Sequence, residues 1–259
     1  MRIATWNVNS VKAHLDSVTQ WLNEAKPDVV CLQEIKCEDH AFPSAHFEEL
    51  GYAAHIHGQK TYNGVALLSR LPVEDITRGL PGDATDEQAR FISGTVIEGT
   101  KAVRVASLYL PNGNPAPGPK YDYKLVWMKR LQAHAAEQLR HEEPFVLAGD
   151  YNVIPASQDA RNSQNWTTDA LFLPQTRNAF RELLALGLTE SYRALHPAKV
   201  EYSFWDYQAG AWPKNNGIRI DHLLLSPQAA DMLVAVEIHK DTRGHDKPSD
   251  HVPVMIELK

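Results

Sequence analysis

Five strand-like apolar runs along this chain carry a short polar cluster at or just beyond one end. An α/β sheet tolerates polar side chains at that position because the edge where its strands end opens to solvent. Ordinary core sequence separates the clusters, so they predict several strands that present polar residues at an open edge. The clusters are Trp6-Asn7-Val8-Asn9, Leu32-Gln33-Glu34, Gly149-Asp150-Tyr151-Asn152, Arg219-Ile220-Asp221-His222 and Ser249-Asp250-His251.

Between the clusters, strand-like and helical patterns alternate. A helix is predicted after Ser10, because apolar residues follow at helical spacing: Val11, Leu15, Val18, Leu22 and Ala25. Two more helices are predicted. One follows the 111–119 loop, with Leu125, Met128, Leu131, Ala135 and Leu139 on one face, and the other carries Phe180, Leu183 and Leu184 and ends at Gly187. The prolines and glycines of 111–119 predict a surface loop. Strands are predicted over 2–8, 29–33, 52–57, 64–69, 91–97, 103–110, 145–148, 218–225, 232–238 and 252–258.

No linker or shift in composition divides the chain, so we predict one domain over residues 1–259. A chain of this length with 43% hydrophobic residues can bury a core of that size. The mixture of helices and strands predicts the α/β (α+β) class, with two packed mixed β-sheets and helices on their outer faces.

The apolar runs are too short to cross a membrane, and the N-terminus leads directly into a strand without a signal segment. Cys31 and Cys37 cannot supply a zinc quartet, and without a secretory signal we expect reduced thiols. These features predict a cytoplasmic protein without a membrane partner.

The net charge of −6 argues against a nucleic-acid binder, because such domains are usually basic. The objection weakens if the acids of the polar clusters face cations. Four basic residues also fall within eleven positions, and two interpretations stay open for them: a solvated helix face, or a rim that contacts phosphate. They are Lys120, Lys124, Lys129 and Arg130.

The clusters carry hard oxygen ligands, which suit Mg²⁺ or Mn²⁺. Glu34 follows a buried strand, where an unpaired carboxylate is costly and a metal is a natural partner; Lys36 is the alternative partner. Asn7 and Asn9 can bind metal, orient a carboxylate or contact phosphate, or they can form a turn before the first helix. The residue types therefore indicate a metal-dependent phosphoesterase.

Two further clusters suit the activation of water. Asp150 and Asn152 can hold a water molecule between a proton acceptor and an orienting amide, although an Asp-Xaa-Asn turn is the alternative. A carboxylate at Asp221 that accepts from one ring nitrogen of His251 would raise the basicity of the other nitrogen. His222 can compete as the base, but it begins an apolar run and is expected to pack.

The ordered motifs resemble the exonuclease III / AP endonuclease family, within the wider group of endonuclease, exonuclease and phosphatase folds. The resemblance covers residues 2–257 and implies a four-layered α/β sandwich, a Mg²⁺ (or Mn²⁺) cofactor and a monomer. It implies double-stranded DNA with 3′ ends, nicks or abasic sites as the substrate. The motifs are Trp-Asn-Val-Asn, Leu-Gln-Glu, Tyr-Asn-Gly-Val-Ala (62–66), Tyr-Leu-Pro-Asn (109–112), Gly-Asp-Tyr-Asn, Arg-Ile-Asp-His and Ser-Asp-His-Val-Pro.

The resemblance also implies roles for individual residues. Asn9 and Asn112 would contact the DNA backbone, and Phe204 would form an aromatic wall beside the substrate. The implied metal-binding residues are Asn7, Glu34, Asp150, Asn152 and Asp250, and the implied catalytic residues are Tyr109, Asp150, Asn152, Asp221 and His251.

Two positions depart from the abasic-site enzymes of this family. Ile218 stands where those enzymes usually carry Trp, and Leu171 stands where they tend to carry Gly. We therefore expect trimming of 3′ ends to exceed cleavage at abasic sites. Two other functions were considered: a phosphatase of the same fold that acts on inositol phosphates or phospholipid head groups, and a catalytically inactive DNA-binding module.

Overall fold

Apolar runs rich in Val, Ile and Leu form two six-stranded β-sheets in the computed structural model, which describes residues 1–259. The first sheet has the strand order β11-β12-β1-β2-β4-β3, and the second has the order β5-β6-β7-β8-β10-β9. Each sheet is mixed, with one parallel pair, β1–β2 or β7–β8. The strands are β1 (Arg2–Asn7), β2 (Val29–Gln33), β3 (Ala53–His57), β4 (Val65–Ser69), β5 (Val73–Arg78), β6 (Phe91–Glu98), β7 (Lys101–Tyr109), β8 (Phe145–Asp150), β9 (Thr189–Glu190), β10 (Asp221–Leu225), β11 (Leu233–Ile238) and β12 (Val254–Leu258).

Helices cover the outer face of each sheet. The first two helices pack on the first sheet, and the third and fourth pack on the second. Helices and sheets therefore form four layers, which confirms the predicted fold class. The helices are α1 (Leu15–Ala25), α2 (Ser44–Glu49), α3 (Pro119–Leu139), α4 (Pro174–Ala185), α5 (Ser191–Leu195) and α6 (Pro227–Ala230).

The inner faces of both sheets share one apolar core. Val29 and Val65 of the first sheet lie in the same buried cluster as Val105, Val146 and Leu223 of the second. Removing this surface from water is the main favourable term that holds the sheets together. We therefore propose that residues 1–259 form a single domain.

Several observed elements differ from the predicted ones. The predicted strands 218–225 and 252–258 begin only at Asp221 and Val254. The first helix begins at Leu15, because the residues after Ser10 form turns, although Val11 is still buried. The prediction also missed β5, β9, α2, α5 and α6. These segments are short, and β5 has no fully buried residue and no apolar run.

Neither interpretation of the basic cluster is right for Lys124. Its side chain lies on the buried face of α3 with no exposed surface, so it is neither solvated nor able to touch phosphate. Lys120 and Lys129 are exposed, and Arg130 is half-buried and paired with Asp86. The sequence does not reveal the burial of Lys124, because a lysine in a helix is expected on the solvent-exposed face.

Strand register brings the polar clusters to one edge of the two sheets. Asn7 at the end of β1 lies beside Gln33 at the end of parallel β2. Asp150 at the end of β8 lies opposite both Tyr109 of β7 and Asp221 of β10.

None of the helices combines the length and apolar composition needed to span a bilayer.

Candidate active site

The amide of Asn7 joins the two sheets at the centre of the site. Its Nδ2 atom donates to Glu34 Oε1 at 2.8 Å, on its own sheet, and to Asp150 Oδ2 at 2.9 Å, on the other sheet. The backbone N–H of Asn9 donates to Asn7 Oδ1 at 3.0 Å. Asn7 is fully buried, so both of its amide protons are used to hold carboxylates in place.

Glu34 is held as an ionised carboxylate. It receives hydrogen bonds from Asn7 and from the Tyr109 hydroxyl, at 2.9 Å, and Lys36 Nζ lies 2.9 Å from its second oxygen. Burial acts to raise the pKa of Glu34, but the Asn7 hydrogen bond and the Lys36 charge outweigh burial and keep the pKa below its usual range. Glu34 therefore offers a negative oxygen ligand at neutral pH.

Asp150 lies in the opposite electrostatic environment. Burial raises its pKa to about 7, and the nearby Asp221 carboxylate adds to the increase, while the His251 charge opposes it. Its oxygens accept from Asn7 Nδ2 and from the backbone N–H of Asn152, and His251 Nε2 lies 3.8 Å from Oδ2. A carboxylate with a pKa near neutrality is suited to accept a proton from water.

His251 is oriented by a chain of hydrogen bonds. Its Nδ1 atom lies 2.9 Å from Asp221 Oδ2, and the Ser203 hydroxyl donates to the same carboxylate oxygen at 2.6 Å. Burial acts to lower the pKa of His251, but the charges of Asp221 and Asp150 outweigh burial and raise the pKa to about 10. The ring is therefore a cation at neutral pH, with Nε2 facing Asp150. Ser203 was missed in the sequence, where it stands among aromatic residues without a recognisable pattern.

Asn152 is held in a left-handed backbone conformation, with φ +48°. Its Nδ2 atom donates to the carbonyl of Leu110 at 2.9 Å, and its Oδ1 atom accepts from Asn112 Nδ2 at 3.1 Å. These contacts join the loop after β7 to the loop after β8. Asn112 itself is exposed, as a contact to DNA requires.

The remaining predicted residues surround this centre. Asn9 Nδ2 donates to Asp250 Oδ1 at 3.2 Å, and Asn9 Oδ1 accepts from Lys36. The half-buried Phe204 ring packs edge-on against the His251 ring, with 4.9 Å between their centres. The structure thus brings every predicted site residue to one edge of the sandwich.

The donor set fits a hard divalent cation. Glu34, Asp150 and Asp250 supply carboxylate oxygens. Asp150, Asp221 and His251 also place ligand atoms within 4.8 Å of one another, but the charged His251 ring pairs with Asp221 and has no free lone pair for a metal. The amide oxygens of Asn7 and Asn152 already accept hydrogen bonds, which favours an orienting role for both residues. The carboxylates are the groups best suited to bind the cation.

The Arg-Ile-Asp-His motif also contains two structural residues. Arg219 is buried and donates to Asp159 at 2.9 Å and to Glu190 at 2.7 Å. His222 is buried against the aromatic rings of Tyr151 and Phe180, as expected for a packing residue. Neither Arg219 nor His222 has the exposure that contact with substrate requires.

Leu171 and Ile218 belong to one buried apolar cluster, together with Ile154 and Phe172. Phe204 packs against this cluster and against the His251 ring, so the cluster adjoins His251. Leu171 and Ile218 therefore both contribute buried side chains to the apolar cluster beside His251.

Comparisons with known proteins agree with this geometry. Residues 4–251 match the Endonuclease/Exonuclease/phosphatase family. An exodeoxyribonuclease III from Haemophilus influenzae is 35% identical, with the whole of both chains covered. A 3′ phosphatase (NExo) from Neisseria, solved with a product DNA hairpin, has a TM-score of 0.94 at 37% identity and covers 100% of this chain and 99% of its own. An AP endonuclease from Archaeoglobus fulgidus has a TM-score of 0.93 at 34% identity, with the same coverage.

The Asp221 charge is predicted to sustain the high pKa of His251. Because this folded-state pKa lies above the unfolded value of about 6.5, the stabilisation is complete below that pH and is lost as the pH rises through about 10. Asp221→Asn should lower the His251 pKa by at least about one unit and flatten the decline in unfolding free energy across this range. NMR titration of the His251 ring measures the change in pKa. Urea unfolding near pH 6.5 and near pH 10 measures the change in the unfolding free energy.

His134 is the internal control, because its pKa of about 4 arises from burial and from the charge of Arg104. Its titration should be the same in both proteins. An unchanged His251 titration in Asp221→Asn would show that the carboxylate does not set the charge of the ring.

Proposed function

This chain belongs to the Endonuclease/Exonuclease/phosphatase family, within its exonuclease III and AP endonuclease group, and we propose that it is a metal-dependent DNA repair nuclease that acts on 3′ ends of duplex DNA. The observation that carries the proposal is that the Asn7 amide donates to two carboxylates. Glu34 is ionised, and Asp150 has a pKa near neutrality. The names of the relatives, an exodeoxyribonuclease III and a 3′ phosphatase, support the same substrate class.

In the proposed reaction, a water oxygen attacks phosphorus and the bond from phosphorus to the 3′ oxygen breaks. Asp150 accepts the proton of the water, and Asn152 orients the attacking oxygen. The His251 cation, held by Asp221, stabilises negative charge on the phosphate. The departing 3′ oxygen takes up a proton from solvent, so hydrolysis leaves a 3′-hydroxyl on the DNA and leaves the phosphate on the released product.

Other residues bind and orient the substrate. The Tyr109 hydroxyl, fixed by its hydrogen bond to Glu34, faces the phosphate or the departing oxygen. Asn9 and Asn112 contact the DNA backbone, and Phe204 supports the terminal nucleotide beside His251.

All of these groups come from one chain, which supports a monomeric enzyme. Both cysteines are free thiols, which supports the cytoplasm as its compartment.

Glu34 and Asp250 would hold Mg²⁺ or Mn²⁺, with Asp150, Asn7 and Asn152 close by. The bound cation supplies positive charge that neutralises the phosphate oxygens during attack. Lys36 also places a positive charge next to Glu34.

Glu34→Ala is predicted to weaken Mg²⁺ or Mn²⁺ binding and to lower cleavage at limiting metal by at least about 10²-fold, because it removes the ionised ligand. Calorimetric titration with Mn²⁺ and initial rates across a range of Mg²⁺ concentrations measure the two effects. Glu48→Ala, a change at an exposed acid on α2, is the matched control. Normal cleavage by Glu34→Ala at low Mg²⁺ would reject Glu34 as the ligand.

The proposed preference for 3′ ends follows from the filled apolar cluster beside His251. Flipping an internal abasic nucleotide costs a few kcal/mol of unstacking, which contacts in a pocket have to offset. Leu171 and Ile218 are buried in the packed cluster and offer neither the open space of glycine nor the flat face of tryptophan. A 3′ terminal nucleotide frays without such a pocket, so its removal is less affected.

We predict that the wild-type protein removes 3′-terminal nucleotides or 3′-phosphates faster than it cleaves an internal abasic site. Leu171→Gly should shift this ratio towards incision by opening space beside Phe204. Removing the Leu171 side chain should destabilise the fold by about 2–5 kcal/mol. Both rates are therefore measured in one sample, so that a smaller folded fraction lowers both equally and leaves their ratio unchanged. Leu183→Ala, a cavity in α4, controls for destabilisation and should leave the ratio unchanged.

Faster incision than end trimming by the wild-type protein would refute this account of the pocket but not the nuclease assignment. The same panel should include an inositol phosphate. Release of phosphate from that compound without cleavage of DNA would instead support the phosphatase alternative.

A further inference from the structure

A fully buried lysine supports the two loops that carry Asn112 and Asn152. Lys124 Nζ donates to the backbone carbonyl of Asn152 at 2.6 Å and to that of Asn112 at 3.1 Å. The side chain extends from α3, which lies on the outer face of the second sheet. One ammonium group thus links a helix to both loops at the edge of the site.

The conformation at Asn152 depends on such support. Its φ of +48° lies in the left-handed region, which a non-glycine residue occupies at a cost in free energy. Its side chain is held by Leu110 and Asn112, and its N–H by Asp150, so the carbonyl is the group that Lys124 secures.

The surroundings accommodate the lysine closely. Gly113 has a φ of +89°, and a Cβ atom added there would lie 2.7 Å from Lys124 Cδ, so the glycine leaves room for the lysine stem. Burial lowers the pKa of Lys124 to about 7, against the opposing charges of Asp150 and Asp169. The fold therefore bears an electrostatic cost at this position, and an apolar residue on α3 would avoid it.

We propose that Lys124 is a positioning residue for the phosphoryl-transfer step, which it serves by fixing the Asn152 and Asn112 loops through their carbonyls. The proposal rests on the role assigned to Asn152 in the proposed function. Lys124 has no exposed surface and does not contact DNA, so its effect is transmitted through Asn152 and Asn112. Its removal should therefore slow chemistry through Asn152 and weaken substrate binding only slightly through Asn112.

Lys124→Met keeps the length of the stem and removes the donors. In steady-state assays on a nicked duplex with a 3′-phosphate, kcat should fall about 10- to 100-fold, the range for losing a group that orients an active-site residue, while KM stays within about twofold. Glu137→Gln, an exposed charge deletion on the same helix, should match the wild type. Leu131→Ala, a buried cavity in α3, controls for loss of stability and should leave kcat per folded molecule unchanged.

A double-mutant cycle separates positioning from general damage. In an Asn152→Ala background, single-turnover rates should show that Lys124→Met costs less than about threefold, because the residue through which it acts is gone. Gly113→Ala provides a second perturbation of the same contact, since its methyl group would displace the lysine stem. It should also lose most of its effect in the Asn152→Ala background. Full additivity for both variants would overturn the proposal.

Hydrogen exchange followed by mass spectrometry tests the structural part without any turnover. Lys124→Met should increase exchange in peptides that cover 110–114 and 150–154 and leave β1 and β12 protected. Unchanged exchange in both peptides would overturn the inference even if the enzyme is active. A wild-type protein that does not cleave DNA would instead refute the proposed function, while this exchange result would still decide whether Lys124 orders the loops.

Discussion

The Asn7 amide is the contact on which the rest of the site depends. It holds Glu34 and Asp150, which come from different sheets, within hydrogen-bond distance of a single nitrogen. Two buried carboxylates at this separation repel each other and lose hydration, so neither is stable there without donors and cations nearby. Asn7 supplies the donors, and Lys36 and His251 supply positive charge on either side.

This arrangement gives two similar carboxylates different chemical roles. Glu34 has a depressed pKa and is a permanent anion, which suits cation binding. Asp150 has a pKa raised to about 7 and can exchange a proton near neutral pH, which suits activation of water. Beyond them, Ser203 and Asp221 fix His251, and Lys124 fixes the loops of Asn112 and Asn152. The reacting groups are therefore oriented by residues that do not themselves touch substrate.

The fold class was predictable because the strands are marked by apolar runs that end in polar clusters, as at Val29–Gln33 before Glu34. Residue types and spacing alone predict Glu34, Asp150, Asp221 and His251 as site residues. Tyr109 and Asn112 follow only from the family resemblance, since they have no pattern of their own. Ser203 and Lys124 escaped prediction for a physical reason. Their partners are the Asp221 carboxylate and two backbone carbonyls, which lie far away in sequence or are invisible in it, so only the tertiary structure reveals the contacts.

In the proposed mechanism, Asp150 takes the proton of the attacking water while the His251 cation stabilises negative charge on the same phosphodiester. Single-turnover cleavage of a nicked duplex at saturating Mg²⁺ by Asp150→Asn, His251→Ala and the double variant tests whether the two residues act in one step. Each single change should slow cleavage by about 10²- to 10⁴-fold, and the double variant should be little slower than the worse single variant. Small losses that multiply independently would contradict this mechanism and would assign both residues to the scaffold.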